Sequence, residues 1–423
     1  MRQVGIAAIA LVALIASARA TLADDPDGGS TADVLTRARP EYDARGMRVG
    51  TFFLYPALTA GFAHTDNVFN DAFNVEDYFY ALAPEARLRS AWARHELNLA
   101  ASAKSYWYSN QVGENRTDWT TAAEARIDIV RGSEILANAF YAAVHEPRGT
   151  DLTGGEFPGD PAEPTALSRS GFGAEIGHTF NRVRVSLRGA LEDIDYDDTP
   201  RVPPAAPPTI NNDDRDRTIS EVTARVGFEA GEDTALFVRG RVDDHDFTAV
   251  LDDDGFNRDS SGWTLDGGVE FSMTHVLVGE LFAGYTARSY DDPAFAATSA
   301  LAFGAGLRWF PTMLTTIRLD GARTIEDTSI TAASGYVSTR GELGIDHELL
   351  RNVVLSGRIG YENAEYQSVL RNDDILHGSL SGRFLINNHL HFDAGWEFTD
   401  RNSSSSPFEY STGQFQLSLT GKL

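Results

Sequence analysis

The 423-residue chain contains no cysteine. That removes disulfide frameworks, thiolate nucleophiles, thiolate-ligated metals and a lipidated N-terminal Cys at one stroke. Long apolar runs are missing too. Beyond the stretch from Val4 to Ala16 no eighteen consecutive apolar residues occur, so no helix of the processed chain is expected to cross a membrane. Positive charge is scarce: 36 Lys and Arg stand against 61 Asp and Glu, a formal net charge of −25, which argues against nucleic acid as a partner. A chain of this size without disulfides must be held by backbone pairing and burial.

What is present opens with a secretion signal. Met1, Arg2 and Gln3 carry one positive charge, the run from Val4 to Ala16 is apolar, and Ala18-Arg19-Ala20 is an A-x-A cleavage site. Residues 1–20 are therefore expected to be removed, leaving a short periplasmic segment over residues 21–50. From residue 51 to residue 423, apolar and polar residues alternate in stretches of about ten, the pattern of strands with one face in lipid and one in water. Within one such stretch Val183, Val185, Leu187 and Leu191 point one way, and Arg184, Ser186, Arg188 and Glu192 the other. The split recurs in Leu390, Phe392, Ala394, Trp396 and Phe398 against His391, Asp393, Glu397 and Thr399. Strands of this kind never look hydrophobic overall, which reconciles a mean hydropathy of −0.26 with a membrane location.

About eighteen such stretches can be placed, the first near Leu54–His64 and the last near Tyr410–Leu423, with sixteen as the alternative count. Connections after even-numbered stretches are short, as at Asn181-Arg182 and Asn387-Asn388. Those after odd ones include the long runs His145 to Ser168, Asp197 to Asp216 and Phe247 to Ser260, rich in Pro, Gly and Asp. Outer-membrane barrels carry short periplasmic turns and long outer loops, so the alternation implies an even count with both termini periplasmic. The expected fold class is all-β: a transmembrane, antiparallel, up-and-down β-barrel. Eighteen strands spaced at about 4.8 Å and tilted by about 40° enclose a backbone diameter of about 36 Å. Wall side chains cannot fill that bore, so a loop, a partner or water must occupy it.

Alternation places a charged set on the inner face. The lumen-facing candidates are Arg184, Arg188, Arg225, Arg239, Arg241, Arg318, Arg340, Arg358 and Arg383, with Glu221, Glu270, Glu342 and Asp346 among the acids. Mixed signs favour cross-strand pairing over strong ion selectivity. Catalytic and metal readings are weaker. Asp346-His347 with Ser403 to Ser406 holds the parts of a hydrolytic triad, but no spacing fixes their geometry. His389 and His391 share a strand face and lack a third ligand. Asp252-Asp253-Asp254-Gly255 with Asp259 lacks the spacing of a specific Ca²⁺ loop. The 6 Trp fall mostly near strand ends, which suits interfacial anchoring. No cofactor, metal site or catalytic residue is expected, and the segment from Thr21 to Gly46 is too small for the plug of a TonB-type transporter.

Several strings carry a family resemblance. They are the run from Arg39 to Leu58 with Thr65-Asp66-Asn67-Val68-Phe69 after it, His145-Glu146-Pro147-Arg148, the run from Leu307 to Thr316, and Asp346-His347-Glu348-Leu349 with Arg351-Asn352. Together they resemble the β-barrel porin 2 family of outer-membrane proteins. The resemblance implies an outer-membrane barrel and no catalytic residue. Some barrels of this kind are encoded with exopolysaccharide machinery, so it also implies an outer-membrane exit for an exopolysaccharide, working with a periplasmic polysaccharide export protein. Outer-membrane lipid, lipopolysaccharide and the barrel assembly machinery are the other expected partners. The reading is thus an outer-membrane channel and not an enzyme. A general or small-solute diffusion porin is the alternative, and an outer-membrane enzyme or structural scaffold a third.

Overall fold

A computed structural model describes residues 33–149, 161–202, 207–273, 276–328, 330, 333–405 and 408–423. The expected signal peptide lies outside the described residues, as does part of the run from His145 to Ser168.

Eighteen long strands form one closed antiparallel wall. In chain order they are β1 Phe52–Thr65, β2 Asp77–Ser90, β3 Glu96–Tyr108, β4 Arg116–Val130, β5 Ser133–His145 and β6 Ala166–Phe180. Next come β7 Val183–Tyr196, β8 Arg217–Gly231, β9 Thr234–Phe247, β10 Ser260–Met273, β11 Leu277–Tyr290 and β12 Thr298–Thr312. The last six are β13 Thr315–Glu326, β14 Tyr336–Leu350, β15 Val353–Tyr366, β16 Asn372–Leu385, β17 Leu390–Ser403 and β18 Tyr410–Lys422. Each strand pairs with the next, and β18 pairs back onto β1 from Ala57↔Lys422 to Thr65↔Gln414, so eighteen, not sixteen, is the number. Where β18 stops, a short strand, Met47–Val49, takes its place beside Phe52–Leu54 of β1 and lengthens the seam. The alternation gave no sign of this strand, nor of a small hairpin between Thr199–Pro200 and Thr209–Ile210 in the loop after β7.

The two ends of the wall differ. Connections after even strands are tight; Asn181, in the two-residue turn between β6 and β7, has φ 57°, which Asn tolerates better than most residues. Connections after odd strands are longer and gather at the opposite end. The barrel thus has a short-turn end and a long-loop end.

Register then fixes the faces. Val226 of β8 stands opposite Val185 and Val238, Leu343 of β14 opposite Leu319 and Ile359, and Phe392 of β17 opposite Phe384 and Leu419. These rows make a continuous apolar outer band in which Leu187 is 51% and Val238 57% exposed. An apolar band of that extent calls for lipid. Aromatic pairs edge it: Trp119–Tyr141 at 5.0 Å and Trp263–Tyr285 at 5.9 Å toward the long-loop end, Phe52–Trp92 at 5.4 Å at the other. Trp396 departs from the expectation and sits mid-strand in β17.

An arginine at Leu187 would carry charge into that band. Leu187→Arg is expected to lower the unfolding free energy of the vesicle-inserted barrel by about 2 to 4 kcal/mol, and Ser186→Arg on the inner face by less than about 1. Urea titration followed by Trp fluorescence reads both, and equal losses would reverse the assignment of faces.

Candidate functional site

The inner face cannot be apolar in a water-filled bore, yet charges side by side on neighbouring strands repel unless their signs alternate. The wall solves this by cross-linking. Arg225 on β8 and Arg239 on β9 are direct cross-strand neighbours. Glu280 of β11 lies 2.9 Å from Arg225 and 3.5 Å from Arg239, Glu270 lies 3.0 Å from Arg225, and Asp266 lies 3.1 Å from Arg239. The Arg225 guanidinium sits 4.0 Å from the Phe237 ring centroid, and that of Arg239 sits 4.6 Å from Phe282. Both rings lie over glycines of the next strand: a Cβ at Gly268 would stand 2.6 Å from Phe237, and Gly304 makes the same room for Phe282. The rings therefore lie against the wall and not across the bore.

The other sequence candidates sit on the same face. Arg184 pairs with Glu134 at 2.9 Å, Arg241 with Glu221 at 3.7 Å, Arg383 with Asp393 at 2.6 Å, and Glu342 with His377 at 3.3 Å. Arg318 and Arg358 both reach Asp346, whose side chain is 0% exposed. Among the described residues no carboxylate comes within 4.0 Å of Arg188 or Arg340, and Arg340 is exposed to the lumen. Such a face offers hydrogen bonds of both signs, while most charges are already neutralised by a neighbour.

Alternation says nothing about the mouths. At the long-loop end, buried Arg148 pairs with Glu114 at 2.5 Å, and Arg215 with Glu146 at 2.5 Å. The Asn70 amide donates to the Arg148 carbonyl at 2.8 Å, and Arg401 of β17 donates to the Gly149 carbonyl at 2.7 Å. Strand β5, which leads into this loop, is separated from β17 by β18, β1, β2, β3 and β4, so the loop folds across part of the mouth. On another side Asp327, just past β13, reaches His245 of β9 at 2.7 Å and Arg217 of β8 at 3.5 Å. Burial would raise the Asp327 carboxyl, but His245 and Arg217 outweigh it and hold it well below the usual carboxylate range. Fully buried Asp373 accepts from Arg371 at 2.7 Å, from Arg401 at 2.5 Å and from Ser403.

At the short-turn end the segment before β1 lies against the inner wall. The Val34 amide donates to Thr316 Oγ1 at 3.0 Å, and Asp33 pairs with Arg318. Nearer the rim Glu348 takes Arg39 at 2.8 Å and Arg37 at 3.4 Å. Residues 33–39 thus reach into the bore, although the sequence suggested only a short segment outside it.

Residues 39–423 match the family model described as "Putative beta-barrel porin 2". The chain belongs to that family. No curated protein sequence matches it. Among solved structures it is similar to Pseudomonas aeruginosa OpdL, with 8% identity, 89% of this chain and 99% of that one covered, and a TM-score of 0.44. A BenF-like porin from Pseudomonas fluorescens Pf-5 gives 10% identity, 88% and 99% coverage and 0.44, and Pseudomonas aeruginosa OccK2 (OpdF) gives 10%, 88%, 98% and 0.44. Likenesses this distant say nothing about cargo.

In this porin-family barrel the parts of the imagined triad go elsewhere. Asp346 is taken by arginines, His347 Nδ1 bonds Thr315 at 3.0 Å near the short-turn end, and Ser403 bonds Asp373 at the long-loop end. His391 faces Asp393 at 3.3 Å, while His389 bonds the Lys422 carbonyl at 3.2 Å. Asp252 is occupied by Arg258 at 2.7 Å and by the Asp254 and Phe256 amides at 3.1 and 2.8 Å. The family and the cross-linked wall point to a channel.

Two tests address the mouth. Asp373→Ala removes the buried carboxylate that Arg371, Arg401 and Ser403 share and is expected to cost about 3 to 5 kcal/mol in the vesicle unfolding assay. Asp216, next to β8, accepts from the Tyr196 amide at 2.7 Å, yet burial with Asp195 and Asp213 nearby pushes its pKa up to about 6. A carboxyl whose folded pKa exceeds its unfolded value of 3.8 binds its proton more tightly in the folded loop, so loop stability falls as pH rises through that window. Proteolysis of the loop after β7 should be slower at about pH 5 than at about pH 7.5, and Asp216→Asn should remove most of the difference.

Proposed function

We propose that this barrel is a passive outer-membrane channel for small hydrophilic solutes. The observation that carries the reading is the inner wall itself: ladders such as Arg225–Glu280–Arg239–Asp266 offer contacts of both signs while neutralising one another. A solute can exchange one weak contact for the next, and conduction requires sites weak enough to leave. The thirteen lumenal candidates act here as wall and lining together. Residues 1–20 direct export and are cleaved near Thr21, the assembly machinery inserts the barrel among lipid and lipopolysaccharide, and the long-loop end faces outward.

Export of an exopolysaccharide beside a periplasmic export protein is the finer reading drawn from the family resemblance. Stacking platforms for sugar rings would favour it. Of the inner-face aromatics, Phe79, Tyr106 and Phe237 are 6%, 4% and 4% exposed and packed into the wall, while Tyr108, Phe140 and Phe282 are half-buried. That favours the small-solute reading.

Liposome swelling with sugars of graded size should show rates that fall with solute mass and a cutoff at oligosaccharide size. Absence of swelling with any sugar, together with loss of secreted polysaccharide from a deletion strain, would replace this reading by polymer export.

A further inference from the structure

The short-turn mouth holds an element that is no part of the wall. Residues 33–45 form two compact turns, with the Thr36 and Arg37 amides donating to the Asp33 carbonyl and those of Tyr42 and Asp43 to the Arg39 carbonyl. None of these residues pairs in the sheet. Accepting the channel reading above, we propose that residues 33–45 are a releasable strap that narrows the short-turn mouth.

Its anchors are ionic and polar. Asp33 is held by Arg318, the Val34 amide by Thr316, Arg37 and Arg39 by Glu348, and Glu41 faces Arg351 at 3.6 Å. Apolar hold is slight: Val34 is buried, while Leu35 beside it is 46% exposed. The wall needs none of these contacts. Without the strap, Asp346 keeps Arg358 at 3.0 and 3.1 Å, Ser356 at 2.5 Å and Arg318, while Glu348, 11% exposed beneath Arg37 and Arg39, is uncovered to lumenal water as they leave. An element whose departure strands no buried charge can leave at low cost, whereas stripping a buried charge of its partner is severe.

Two glycines frame the tether. Gly46 at φ 71° and Gly50 at φ 62° flank Met47–Val49, so a left-handed residue stands at each end of the short strand that fixes the strap to the seam. A Cβ at Gly46 would also stand 2.6 Å from the Tyr55 ring. Charges on the strap balance, with Asp33, Glu41 and Asp43 against Arg37, Arg39 and Arg45. Salt, which screens its anchors, loosens it.

The test uses the full barrel in planar bilayers and vesicles, with heat-modifiable mobility to confirm folding. Asp33→Asn with Glu348→Gln should release the strap and raise single-channel conductance about 1.5-fold, the share of bore freed when a chain about 10 Å thick withdraws. Val34→Cys should react with an impermeant thiol reagent about tenfold faster in that double variant than alone, because the strap shields it. The chain has no other thiol to confuse the readout. A Val34→Cys/Thr316→Cys pair, oxidised, should hold conductance at the wild-type level in the released background and lose that hold on reduction. Equal labelling in both backgrounds overturns the strap. Faster labelling without a conductance change overturns it as a constriction. If no form conducts, the channel reading fails, and labelling still decides whether the strap releases.

Discussion

A backbone amide facing hydrocarbon has no partner except another strand, and the rest of this architecture depends on that. An unpaired edge inside the bilayer would expose a row of donors and acceptors at several kcal/mol each. The wall must therefore close, and it does so through Ala57↔Lys422 to Thr65↔Gln414. Where the last strand runs out, Met47–Val49 continues the pairing along Phe52–Leu54. Closure fixes register, and with a side-chain period of two, register leaves each residue a single face. The lipid band and the charged lumen are both consequences of the hydrogen-bond ladder.

Charge has two distinct roles inside that ladder. Mid-wall pairs such as Arg225–Glu280 keep more than a fifth of each side chain exposed, at 28% and 25%. Wetted pairs of this kind are worth about 0 to 1 kcal/mol, so their removal should alter the lining more than the fold. The pairs at the mouths are drier: Arg148–Glu114 is 8% and 2% exposed, and Arg371–Asp373 is 6% and 0%. Stripping one partner there leaves a buried charge, at about 3 to 5 kcal/mol. Exposure thus separates residues that meet solute from residues that hold loops.

That division also explains how much could be read from the sequence. The strands and their faces were legible because a half-buried wall imposes the same period of two on every segment, and because short and long connections alternate with it. Arg239 and Asp266 could be put on one face from that period alone. Their partners could not, since Glu280 reaches Arg225 across β9 and β10, and no local pattern records a contact over two intervening strands. The mouths were less legible still. Asp346 announced itself as inward-facing, but Asp33, which shares its arginine, lies about three hundred residues earlier in a segment with no periodicity. Met47–Val49 is too short to show alternation, and its role comes from where β18 happens to end.

A wall held by hydrogen-bond ladders between every two neighbouring strands is rigid by construction, so it offers little scope for regulation. Moving any strand breaks a ladder of hydrogen bonds and exposes an edge to lipid. The ends are free of that constraint. Loops and the segment before β1 meet water, can exchange hydrogen bonds with it, and are tied down by side chains and not by ladders. Differences in what such a barrel passes are therefore expected to arise at its mouths, where Arg401 grips the Gly149 carbonyl at one end and Arg318 grips Asp33 at the other.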